Sequence, residues 1–233
     1  MAEEKKKVER IFGVSRNMYY LCSVNLKDSN MADKELQQIN EEFNLHLQLQ
    51  IEGKLPVGYV YRFGNPSTIL KAVDIPDLPI EMASRRLVNK AMQDNHPFEL
   101  AELKDLPLSL HNPLAIFRSA TRIGSNVIMT DLTHNSKNFV VAVETCRSQG
   151  KNLINSIRSV HYRNSDMNII NWIVDGLCDY IRTDFRESWF SSIENELQSK
   201  PQYNSVDVRK QLISAAKIIE NFELAKDSEE KIV

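Results

Sequence analysis

The chain has 233 residues, 42% hydrophobic and 26% charged, with a net charge of −2. Those proportions belong to a chain that buries a core, and so small a net charge excludes nucleic-acid binding through the field of the whole molecule, though not through a local basic patch. Cys22, Cys146 and Cys178 are odd in number and form no Cys-x-x-Cys pair, which excludes a disulfide framework or a structural zinc site and fits a reducing compartment.

No segment reaches the roughly 20 apolar residues of a membrane span, and the charged start, Met1 to Lys7, leads into no apolar signal core. A soluble, cytoplasmic protein with no membrane partner is expected. Residues 1–30 read as a tail with a possible strand at Met18–Leu26. A single α+β domain is expected over 31–224, and a disordered charged tail over 225–233.

From Met31 to Ile51, Leu36, Ile39, Phe43 and Leu47 recur at helical spacing, with Leu45 and Leu49 off that stripe. Gly58 to Phe63 reads as a short edge strand, followed by a Gly64-Asn65-Pro66-Ser67 turn and a brief helix that Ser67 is placed to cap. Pro79 lies just ahead of a helix predicted over Glu81–Gln93. The spacing of Leu100, Leu103, Leu106 and Leu110 predicts a second helix over 99–110, broken or kinked at Pro107.

Four strands are then predicted, at about 114–120, 126–133, 138–146 and 153–163, joined by short turns. Short connections make an antiparallel meander the natural topology. The apolar run Phe139–Val143 places the third strand at the centre. Ile169, Trp172, Ile173 and Leu177 mark a helix over 167–177, Phe185–Leu197 another, and Ser205 or Asp207 to about Glu223 a last one. The expected fold is therefore α+β: N-terminal helices, a four-stranded antiparallel sheet over about 114–163, then C-terminal helices.

Between Leu114 and Ser165 the basic residues Arg118, Arg122, Lys137, Arg147, Lys151, Arg158 and Arg163 face only Asp131 and Glu144. Such a local surplus suits phosphate binding; the plain alternative is a solvated sheet face. Strict alternation puts His161 and Arg163 on one face of the last strand with Ser159 and Asn155. A histidine general base beside an arginine that stabilises charge at phosphorus is a workable arrangement for RNA cleavage. It needs neither metal nor cofactor, because the 2′-hydroxyl of the substrate is the nucleophile.

Arg118, Ser119, Thr121 and Arg122 end the first strand and join that site if the sheet brings the strands together. The candidate catalytic set is therefore His161, Arg163, Arg118 and Ser119, with Arg122, Lys137 and Arg158 as nucleic-acid contacts. His96 and His111 stand close to prolines and read as turn-holding residues, while His134 and His46 read as structural or exposed. No phosphate-binding glycine loop, Gly-x-Ser-x-Gly elbow or metal-ligand spacing is present in the sequence.

Four groups of residues carry a resemblance: His96–Leu100, the run from Leu106-Pro107 through Asn112-Pro113 to Ser119, Asn138–Val143, and Ser156–Arg163. They resemble the C-terminal domain of phage MuF-type proteins, also found in the polyvalent proteins of phages and conjugative elements, over about Phe43 to Phe222. The resemblance implies an effector or toxin-like protein carried by a bacterial mobile element, in some cases associated with a virion or with DNA transfer. The layout of helices before a four-stranded sheet is similar to the barnase–EndoU–colicin–RelE ribonucleases, and that likeness implies metal-independent RNA cleavage. Two other expectations stand beside it: a non-catalytic module binding nucleic acid or a host or immunity protein, and a structural accessory of DNA transfer docked through the helix at Met31–Ile51.

Overall fold

The computed structural model describes residues 26–91, 97–162, 167–198, 207–210 and 212–213. The possible strand at Met18–Leu26 lies outside them except for Leu26, which opens a helix; most of the last predicted helix, the charged tail, His96 and Arg163 also lie outside.

Seven strands form one mixed sheet, where four antiparallel strands are expected from the sequence. They are β1 (Val60–Arg62), β2 (Ile80–Ala83), β3 (Ala115–Arg118), β4 (Ser125–His134), β5 (Lys137–Gln149), β6 (Asn152–Tyr162) and β7 (Cys178–Ile181). Their spatial order is β1-β2-β6-β5-β4-β3-β7. The meander β3–β6 matches the four predicted strands in place and direction. Of the three others, β1 lies within the edge strand expected at Gly58 to Phe63, while β2 and β7 have only four residues each, too short to leave a clear period-two signature. Residues Ile80–Ala83 begin the predicted helix 81–93 but pair instead as a strand, parallel to β6, and the helix starts at Ser84. As a result β6, the last strand of the predicted sheet, is an interior strand.

The helices are α1 (Leu26–Ile51), α2 (Thr68–Ala72), α3 (Ser84–Ala91), α4 (Leu106–His111), α5 (Met167–Val174) and α6 (Thr183–Gln198). The predicted helix 99–110 divides into a 3-10 turn at Leu100–Leu103 and α4. The division falls at Lys104–Asp105, ahead of Pro107. Proline occupies the first turn of α4, where its missing N–H leaves no helical bond unmade. Asp105 takes φ 64° there. Asn40 and Asn44, one turn apart on α1, each donate to its Oδ1 at 2.7 Å. The Asp105 N–H in turn donates to Asn44 Oδ1 at 3.0 Å. These bonds hold the Asp105 carboxyl below the usual carboxylate range and tie α1 to the sheet-covering layer.

Alternation along the strands makes two apolar faces. On the first, Ile116, Ile128, Phe139, Val141, Val143, Ile157 and Val160 are buried with Phe43 and Leu47 of α1 and with Leu87, Leu103, Leu106 and Leu110. Leu45, off the α1 stripe, is exposed. On the second face, Ala115, Phe117, Val127, Met129 and Val140 pack against Ile169, Ile170 and Ile173 of α5 and Trp189 and Phe190 of α6. Ser67 heads α2 as expected, but its hydroxyl donates to the His111 carbonyl at 3.0 Å instead of capping the helix. His111 holds that junction as predicted: its ring nitrogen lies 2.6 Å from the Phe63 carbonyl.

Candidate nucleic-acid interface

The two longest strands, β5 and β6, each contain a bulge, and the two bulges create the site. Pairing runs from Phe139↔Tyr162 to Ala142↔Ser159, then shifts so that Val143 faces Ile157, leaving Arg158 as the extra residue on β6. A bulged residue leaves the ladder and its side chain is re-aimed. Beyond it the phase reverses. Asn155, expected on the His161 face, lies fully buried on the opposite one, where its side-chain amide donates to the carbonyls of Pro76 and Leu78 at 2.8 and 2.9 Å. Ser156 takes its place on the His161 face.

A second shift separates Glu144↔Ser156 from Arg147↔Ile154, with Cys146 at φ 51° on β5. Without it Glu144 and Arg147 would point to opposite faces. With it, Arg147 Nη1 donates to Glu144 Oε2 at 2.9 Å and Arg158 Nε lies 3.2 Å from the same oxygen. Arg122 completes the group from the β3–β4 loop, 3.8 Å from Glu144 Oε2. Thr145 fixes that loop beside Glu144 by donating both its N–H and its hydroxyl to the Gly124 carbonyl. Ser119 shapes the same loop, its Oγ accepting the Arg122 N–H at 3.2 Å.

Three guanidiniums thus share one carboxylate oxygen on the stretch of sheet next to β2. Burial raises the Glu144 pKa, but the Arg147 hydrogen bond and the charges of Arg158, Arg147 and Arg122 outweigh it, and the net shift is downward. Arg86, in the first turn of α3, adds a fourth cation whose Nη1 reaches the Arg158 carbonyl at 3.5 Å. Burial and the positive charges of Arg158, Arg147 and Arg85 lower its pKa, and Glu144 only partly offsets them. Among the described residues Glu144 pairs with three of these four guanidiniums, which leaves the group an excess of positive charge suited to an anion. Side-chain exposures of 57% for Arg122, 40% for Arg147 and 28% for Arg158 leave it open to solvent.

The other predicted site residues fall in three places. His161 faces Val140 on β5, four residues from Glu144 along the same face, or about 13 Å at the usual rise of a strand. Arg118 is not brought to His161. It pairs with Asn126, which faces Val143 on the opposite side of the sheet, and its Nε lies 3.1 Å from Asp179 Oδ1. Lys137 begins β5, seven residues from Glu144 and roughly 23 Å away by the same rise. His134, expected at a hairpin turn, ends β4 there. Its Nδ1 lies 2.8 Å from Glu102 Oε2 and its ring stacks on Tyr162, so it joins the hairpin to the 3-10 turn.

Arg86 and Arg147 are the members of the site that the predicted set lacked. Arg147 was visible as part of the basic surplus, but only the bulge at Cys146 turns it toward Glu144. Arg86 sits ahead of the predicted strands and reaches the site through the parallel β2–β6 pair.

No helix among the described residues is long and apolar enough to cross a membrane. No curated protein and no solved structure matches the chain. One family model does match, that of the phage MuF-C-terminal domain, over residues 87–184. That is less than half of the chain and narrower than the span of the sequence resemblance. It includes β3 to β7 with Arg122, Glu144, Arg147 and Arg158, and Arg86 stands one residue before it. Over residues 87–184, then, the chain is similar to the phage MuF C-terminal domain.

Proposed function

We propose that this phage-type protein binds a nucleic-acid strand through the arginines gathered at Glu144. The observation that supports the reading is the convergence of Arg122, Arg147 and Arg158 on one Glu144 oxygen, with Arg86 alongside. Guanidinium groups pair bidentately with phosphate oxygens, and a cluster with more cations than carboxylates binds a polyanion by releasing its counterions. The test is the affinity for a labelled single-stranded RNA across a range of salt concentrations. The logarithm of affinity should fall linearly with the logarithm of salt, and Arg147→Ala should reduce that slope by about 0.7, the value of one phosphate contact on a single strand. A slope unchanged by Arg147→Ala, or no binding at low salt, rejects the reading.

A second reading, metal-independent RNA cleavage, draws on one specific observation: His161 and Ser159 lie on the same face and strand as the Arg158 cluster. In that mechanism His161 accepts the proton of a substrate 2′-hydroxyl as it attacks phosphorus, while the arginines, gathered about 13 Å along the strand, hold a phosphate further along the substrate. Incubating folded wild type and His161→Ala with RNA in EDTA decides between the readings. Cleavage by wild type alone supports catalysis at His161. Binding without cleavage by wild type leaves a binding module.

A further inference from the structure

Beside the arginines an open cleft of about 280 Å³ lies over β2, β6 and the end of β5. Its lining includes Val60, Glu81, Arg86, Arg147, Gln149 and Ser156. Pockets for drug-sized ligands run from about 300 to 1,000 Å³, so this cleft takes one small unit at a time. The lining holds both arginine and a carboxylate. Glu81 pairs with Ser156 on β6 and with Arg62 on β1, and Gln149 Nε2 donates to its Oε2 at 3.2 Å. A carboxylate accepts hydrogen bonds and donates none when ionised. In the same lining, Arg86 and Arg147 supply donors and positive charge.

Among the common bases only guanine presents two adjacent donors, N1–H and the N2 amino group, which match the two oxygens of one carboxylate. Adenine, cytosine and uracil place an acceptor beside their donor on that edge, and the acceptor would meet the carboxylate unfavourably. We infer that the cleft receives a guanine nucleotide unit, with Glu81 binding the donor edge of the base and Arg86 and Arg147 holding its phosphate. Val60 and Ile154 provide apolar wall for the ring. The inference rests on the nucleic-acid reading and adds base preference to it, with Glu81 as the residue that sets specificity.

The experiment uses the full chain and measures binding of guanosine 5′-monophosphate, adenosine 5′-monophosphate and inorganic phosphate by calorimetry. Wild type should favour the guanosine nucleotide over the adenosine nucleotide by about tenfold, within the discrimination one bidentate base contact provides, and should bind phosphate alone more weakly than either. Glu81→Gln should lose the preference while keeping its affinity for inorganic phosphate. Equal affinity of wild type for the two nucleotides overturns the inference whether or not Glu81→Gln folds. If the RNA still binds with its salt dependence, the proposed nucleic-acid interface survives that failure. If neither RNA nor nucleotide binds, both proposals fall. A preference that persists in folded Glu81→Gln overturns the role of Glu81.

Discussion

The second face of the sheet is divided into two unlike halves, and β5 runs through both. Near its start, Val140 lies with Val127, Met129 and Phe117 beneath Ile169, Ile173, Trp189 and Phe190. Four residues later Glu144 gathers Arg122, Arg147 and Arg158 on surface that α5 and α6 leave open. Burial of apolar area makes the covered half a source of stability. The open half holds half-exposed ion pairs, which contribute little to stability. One strand can therefore carry fold and recognition at opposite ends, and substitutions at the two ends should have separable effects.

The largest expected effect comes from the covered half. Trp189→Ala should lower unfolding stability by about 3–5 kcal/mol, measured by urea denaturation. Arg147→Ala should change it by less than about 1 kcal/mol. Comparable losses from the two substitutions would contradict the division of labour between the halves.

Glu144→Gln sharpens the comparison within the open half. Removing the carboxylate that the three arginines share should strengthen single-stranded RNA binding several-fold while costing about 1 kcal/mol of stability. Weakened binding would mean that Glu144 positions the arginines more than it neutralises them. The sign with pH follows from the lowered Glu144 pKa. Its contribution to stability is present above the ordinary carboxylate range and is lost as pH falls through the depressed folded value.

His111 tests the first face by the same linkage. Burial depresses its pKa, and the hydrogen bond to the Phe63 carbonyl only partly opposes that shift. The neutral ring is favoured in the folded state, so stability should be fully present above about pH 6.5 and should fall as the unfolded chain takes up its proton below that value. His111→Gln should flatten this part of a denaturation-against-pH profile.

The smallest effect is chemical. Burial first, and the Asp179 charge second, push the Cys178 thiol up to about 12, whereas Cys146 is exposed at its bulge. A thiol reagent at neutral pH should label Cys146 well ahead of Cys178 in the native protein. Equal labelling would place Cys178 outside the core.

The meander was legible because β3 to β6 carry apolar alternation and turn residues, and the predicted strand positions lie within a few residues of those found. The short strands β1, β2 and β7 differ in kind. β1 was anticipated as an edge strand, but Ile80–Ala83 look like the opening of the helix that follows, and Cys178–Ile181, though set off by Asp175-Gly176, are too few to show alternation. The pairing of β2 and β7 is decided by tertiary partners, β6 and β3, that no local pattern reveals.

The site was partly legible for a related reason. The basic surplus at 114–165 is plain in the sequence, whereas its convergence depends on bulges at Arg158 and Cys146. Alternation without those bulges groups His161 with Asn155 and leaves Arg147 unassigned. Arg118 and Lys137 illustrate the converse: both belong to the surplus, yet the register sends one to the opposite face and the other to the far end of β5.

Arg118 is therefore the natural control for the central claim that register, and not the count of basic residues, makes the interface. The measurement is the salt dependence of single-stranded RNA affinity for wild type, Arg118→Ala and the double substitution Arg147→Ala with Arg158→Ala. The account predicts that the double substitution lowers the slope by about 1.4 and weakens binding at every salt concentration, while Arg118→Ala leaves both unchanged. Equal losses from Arg118→Ala and the double substitution would contradict it, because binding would then follow total charge and not the convergence at Glu144.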